Sequence, residues 1–154
     1  VKRHKKTSNA EYRTSNAEFT GNGVRAGELP GQPYGERRYD LEDRLLEFAA
    51  DIVNFVESLP STKAGNHIAG QLLRCGTSPL SNHGEVEAAE SRKDFIHKLR
   101  ICLKELRETK RWLRLVDRLE LADVSALGSC TAEADELIRI FVASVRTAEK
   151  SERK

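Results

Sequence analysis

Methionine is absent from this chain, tryptophan occurs once, and there are three cysteines and four prolines. Each scarcity excludes something. Cys75, Cys102 and Cys130 are an odd set without C-x-x-C spacing, so neither a disulfide framework nor a zinc knuckle is implied; buried, reduced thiols in a cytoplasmic protein are expected. No run approaches the roughly 18–20 apolar residues that span a bilayer. The opening VKRHKKTSNAEYRTSN is basic, but no apolar segment follows it, so no secretory signal is read there. A phosphate-cradling glycine loop, G-x-S-x-G and H-E-x-x-H are all missing. A di-iron bundle needs two E-x-x-H pairs, and the nearest approach is a single Asp94-x-x-His97. His4, His67 and His83 have no partner at ligand spacing, and Cys102 lies on a different helical face from His97. No metal, cofactor or catalytic group is therefore expected, and the chain reads as a non-enzyme.

What is present divides in two. Residues 1–38 hold half of the ten glycines and two of the prolines, as in GNGVRAGELPGQPYGERR, with no sustained apolar period. This composition predicts a disordered or loosely held arm. Within it TSNAEY (Thr7–Tyr12) is followed by TSNAEF (Thr14–Phe19); two copies are too few for a solenoid.

From Tyr39 a 3.6-residue period takes over. Asp40 is a natural N-cap, and Leu41, Leu45, Phe48/Ala49, Ile52, Phe55/Val56 and Leu59 predict a first helix ended by Leu59-Pro60-Ser61. A second segment, about 62–90, places Ile68, Leu72, Cys75 and Val86 inward, with Pro79 expected to kink or break it. The third helix covers about 91–118, with Phe95, Leu99, Cys102, Leu106, Thr109, Leu113 and Val116 as its core face. A fourth starts near Asp123 or Thr131 and runs to about Lys150, with Ala134, Leu137/Ile138, Phe141 and Val145 inward. Four amphipathic segments with short connections and no strand-like alternation predict an all-α, up-and-down four-helix bundle over 39–150, with 151–154 as a basic tail.

The third helix carries the strongest signal. Residues 91–118 contain ten Lys or Arg against four Asp or Glu, in a chain of net charge +2. Lys93, His97, Arg100, Lys104, Arg107, Arg111, Arg114 and Arg118 are spaced alternately four and three apart. They form one stripe roughly opposite the core face. Like charges at this spacing repel by a few tenths of a kcal/mol per pair, so the stripe costs stability unless something opposes it. Three readings stand at this point. Nucleic-acid phosphate is one. An acidic helix of the same or a neighbouring subunit is another, since 39–59 is net −5 and 119–149 net −4. A solvated face without a role is the third. Asn82 and Glu85, three apart after Pro79, are expected either to satisfy backbone groups freed by the proline or to make a polar contact across a subunit interface.

The segments LRCGTSPLSNHGEVEAAESRKDFIHKL (Leu73–Leu99) and LKELRETKRWL (Leu103–Leu113) resemble a family of small bacterial bundle proteins. These are encoded by intervening sequences within large-subunit ribosomal RNA genes. That family is similar in turn to the accessory variability protein of diversity-generating retroelements. The likeness includes the Tyr39–Leu41 opening, Asn82 with Glu85, Ser91–Ile96, the E-x-x-E-T before Trp112 and Ala134–Leu137. It covers about residues 39–150. His83-Gly84 departs from it, and Gly84 weakens a helix interior. The resemblance implies a homopentameric four-helix bundle without known catalysis and, from the retroelement relative, binding of nucleic acid through a basic surface. Together these lead to an expected function: a cytoplasmic oligomer that binds structured RNA or DNA through the third-helix stripe as an adaptor, with a partner protein as a further expected contact. The alternative is an assembly protein whose stripe pairs with acidic helices across subunits and has no nucleic-acid role.

Overall fold

The computed structural model describes residues 41–150; the arm at 1–38 with its TSNAE repeat, the Tyr39 opening, the Asp40 cap and the 151–154 tail lie outside them. Four helices follow one another: α1 (Leu41–Glu57), α2 (Lys63–Glu87), α3 (Arg92–Arg118) and α4 (Val124–Lys150). Each packs against its neighbours in sequence, and α4 returns to α1, so α1 and α3 occupy opposite corners, as do α2 and α4. This is the all-α up-and-down bundle that the apolar period predicts.

Local chemistry places the turns. Ser91 caps α3 by accepting from the Asp94 N–H at 3.2 Å, and Thr62 caps α2 by accepting from Gly65 N–H at 3.0 Å. Asp123 does the same for α4 through the N–H groups of Ser125 and Ala126, which fixes its start at the earlier of the two expected places. Helix α3 ends in a Schellman turn: Leu121 N–H reaches Val116 C=O and Glu120 N–H reaches Asp117 C=O. Glu120 takes the left-handed position, φ 52°, that glycine usually fills.

The core is one continuous cluster. Phe48, Phe141, Leu45, Ile52, Leu72, Leu106, Leu113 and Leu137 are fully buried within it. Burying a side chain of this size contributes about 1.5–3 kcal/mol. Thr109, read as part of the core face, is fully buried and donates its hydroxyl to Glu105 C=O at 2.9 Å, so its polar group is satisfied within the helix.

Two expectations need correction. Phe95 is exposed, and Ile96 takes the inward place at the start of α3. The reason is positional. Arg92 donates to Ala148 C=O, tying this turn to the end of α4 and turning the buried direction toward Ile96. Phe95 is left over a shallow hollow beside Val86 and Ala89, at the C-terminal end of α2. The second correction concerns a break at Pro79, one of the two outcomes expected there. Helix α2 is not broken there but runs through it for 25 residues, with Pro79 itself buried. Packing of this stretch against α3 outweighs the lost N–H, as expected when tertiary contact supplies most helix stability. The Cys102 thiol of α3 faces Pro79 C=O at 3.9 Å.

Candidate nucleic-acid interface

Helix α3 is built mainly from strong helix formers, and its capped, 27-residue length carries the stripe from Lys93 to Arg118, roughly 38 Å at 1.5 Å per residue. Lys93, His97, Arg100, Lys104, Arg107, Arg111, Arg114 and Arg118 are all exposed, so the structure places the whole predicted set on one accessible face. Their carboxylate partners are few. Arg100 reaches Glu149 of α4 at 2.7 Å, and Lys104 reaches its neighbour Glu105 at 3.1 Å. Lys93, Arg107, Arg111, Arg114 and Arg118 form no ion pair among the described residues. The acidic helices of the same subunit therefore do not neutralise the stripe.

The basic residues off the stripe behave differently. Lys110 pairs with Asp135 of α4, Lys98 with Asp94 one turn back, and Arg74 of α2 with Glu108 of α3. The Lys98 ammonium holds the Asp94 carboxyl below its usual range. These ion pairs flank the stripe and leave its cations facing outward. At its N-terminal end Lys93, His97 and Arg100 border a hollow of about 320 Å³ with Ile96 and Glu149.

A larger cleft, about 720 Å³, lies between α1 and α4, where their contact is sparsest. Its walls are acidic, including Glu47, Asp51, Glu133, Asp135 and Glu136. Most of that charge is already used: Glu133 pairs with Arg44, Asp135 with Lys110, and Glu136 with Arg139. The Glu133 partnership raises the pKa of Arg44 further, keeping the guanidinium charged. Sequence reading found the acidity of these helices but not its pairing, which depends on how α1, α3 and α4 meet in space.

The helix-break residues have a different setting from the one expected. Because α2 continues through Pro79, Asn82 caps no new helix; it donates to Ser78 C=O at 3.0 Å and to Ser78 Oγ at 2.8 Å. The carbonyl freed by Pro79 is that of Cys75, so Asn82 does not serve it. Glu85 is exposed, and its carboxylate forms no ion pair among the described residues. Beside them the His83 ring meets Phe141 edge-on with centroids 6.3 Å apart, and its Nδ1 is buried without a partner.

The three thiols are buried and unpaired. Burial pushes Cys102 up to about 12 and Cys130 up to about 11, and raises Cys75. They are poor nucleophiles in the folded protein. Among the described residues no group of three His, Cys, Asp or Glu could hold a metal ion, and no helix is long and apolar enough to cross a membrane.

Comparison with known proteins agrees with this architecture. A crystal structure of a protein of unknown function from the S23 ribosomal protein family of Bacteroides thetaiotaomicron superposes with a TM-score of 0.64. Its sequence is 37% identical, over 68% of this chain and 97% of that one. No curated protein gives a significant match. The family profile described as 23S rRNA-intervening sequence protein matches residues 38–143, which takes in α1, α2, the whole of α3 and most of α4. With the bundle and the third-helix motifs in place, the chain belongs to the 23S rRNA-intervening sequence protein family.

Proposed function

We propose that this protein is a non-enzymatic, cytoplasmic adaptor that binds structured RNA or DNA through the outer face of α3 and works as a homo-oligomer. The observation that carries the reading is the row of exposed basic residues from Lys93 to Arg118, most of them without an ion pair among the described residues. Mutual repulsion along the row costs a few tenths of a kcal/mol per neighbouring pair, and a polyanion laid against it reverses the sign of that term. The family resemblance supports a pentamer as the assembly, and the basic surface expected from the family's retroelement relative supports nucleic acid as that polyanion. Buried, unreactive thiols suit a reducing compartment.

Binding of a labelled RNA hairpin and a DNA duplex across a salt series tests the reading. Wild type is compared with K93Q/R100Q/K104Q/R107Q, both first checked for helicity and mass. Each phosphate contact contributes about −0.9 to the slope of log K against log salt on duplex DNA. The wild type is expected to bind with a steep slope, and the variant to lose affinity and up to about 3.6 of that slope. Absence of wild-type binding at low salt, or equal slopes for the two proteins, would overturn the assignment.

A further inference from the structure

Two pairs of exposed apolar side chains occupy outer helix faces where a polar surface is the rule. On α1, Leu46 and Val53 are 52% and 41% exposed, one heptad apart, with exposed Ala50 between them. At 100° per residue, Asp43 and Glu57 fall within about 60° of Leu46, so this seam is apolar in the middle and acidic at its ends. On α3, Leu115 and Leu119 are 38% and 48% exposed and one turn apart. Arg111 and Arg118 lie within about 60° of Leu115, giving an apolar patch with basic edges. A leucine inside a row of cations offers a phosphate neither charge nor a hydrogen bond. It does offer a protein surface something to bury.

The two patches are opposite in the charge of their edges. They cannot satisfy each other within one subunit, because α1 and α3 sit at opposite corners of the bundle and their outer faces point apart. Pairing either patch with its own copy would set like charges together. Pairing α1 of one copy with α3 of another sets an acidic-edged apolar seam against a basic-edged one.

We infer that copies of this chain join head to tail, the Leu46–Val53 face of α1 on one subunit docking on the Leu115–Leu119 end of α3 on the next. The inference rests on the self-association proposed above and names its interface and polarity. Such a heterologous contact closes into a ring or runs on as a filament, depending on the rotation per step. The stripe is then shared: its C-terminal end serves assembly, and Lys93 to Arg107 remains open to nucleic acid.

The polarity can be tested by one-sided variants. L46K/V53K removes the α1 patch and leaves α3 intact; L115K/L119K does the reverse. All four positions are substantially exposed, and far-UV circular dichroism checks that each variant is folded. By light scattering the wild type is expected as an oligomer and each variant alone as a monomer. An equimolar mixture of the two variants is expected as a 1:1 dimer, because it holds one intact interface. Wild type that stays monomeric would overturn self-association and this inference together, while leaving the salt-series test of α3 unaffected. Folded variants that keep the wild-type mass, or whose mixture stays monomeric, would overturn the interface named here and leave oligomerisation standing.

Discussion

Helices α2 and α3 lie against each other through much of their length, yet they are made on different principles. Helix α3 consists mostly of good helix formers, carries no glycine or proline, and spends its outer face on cations. Helix α2 contains Gly65, Gly70, Gly76, Gly84 and Pro79, and its own propensity is poor. Two of those glycines are buried where neighbours come too close for a side chain. A Cβ at Gly65 would stand 1.9 Å from Pro60 C=O, and one at Gly76 would stand 2.7 Å from Ile52 Cγ2. The difference teaches what each helix is for. Helix α2 is shaped by contact with the rest of the bundle, and α3 by what its exposed face presents.

The largest expected effects break that contrast at its buried end. Gly65→Ala forces the α1–α2 turn to move, and Gly76→Ala presses α2 away from a fully buried Ile52. Each is expected to lower unfolding free energy by about 2–3 kcal/mol, the upper part of the range for overpacked sites. Urea unfolding with an unchanged m-value would measure it. Losses below about 0.5 kcal/mol would mean that the close approach is soft.

Next in size is the response of the α2–α3 seam to alkali. Cys102 is raised to about 12 by burial, whereas a thiol in the unfolded chain ionises near 8.5. A raised folded-state value means that the folded state keeps the proton when the unfolded state has lost it. The thiol's contribution is therefore complete below about pH 8.5 and is lost as pH climbs toward about 12, at up to about 1.4 kcal/mol per pH unit. Cys130 behaves likewise toward about 11. Denaturation curves between pH 8 and 10 should show Cys102→Ala less sensitive to pH than wild type, even if its stability at pH 7 is lower. Parallel curves would remove the thiol from the account.

How much of this was legible in the sequence follows the same division. The α3 core from Leu99 to Val116 and its outward stripe could be read at 100° per residue, because a regular helix obeys its own period. The period said nothing about the first turn, where a contact from α4 decided between Phe95 and Ile96. Pro79 misled for a related reason: its local cost is written in the sequence, but the packing that offsets it is not. The pairing of Glu133, Asp135 and Glu136 was equally hidden. Leu46 and Val53 could have been found as a second heptad outside the core stripe.

A smaller effect sharpens the contrast within α2 itself. Gly84 is exposed, and a Cβ there meets nothing within 4 Å, unlike Gly65 and Gly76. Gly84→Ala is expected to stabilise the fold by about 1 kcal/mol, the helix-propensity difference alone. A thermal midpoint raised by several degrees would confirm it; destabilisation would show that something approaches this face after all.

The smallest expected effect bears most directly on the purpose of α3. Arg107 has Lys104 three residues before it, Arg111 four after, and no ion pair among the described residues. Arg107→Gln keeps helix propensity and removes repulsion in both directions, so stability should rise by a few tenths of a kcal/mol per relieved pair at low ionic strength. The gain should fade near 1 M salt, where the screening length is about 3 Å. The same substitution should weaken duplex binding and lower its salt slope by about 0.9. A residue that makes the free protein less stable and the complex more stable is held in place by its partner, not by the fold. If Arg107→Gln left stability unchanged at every salt concentration, the row would not be self-repelling, and its charge would already be answered within the molecule.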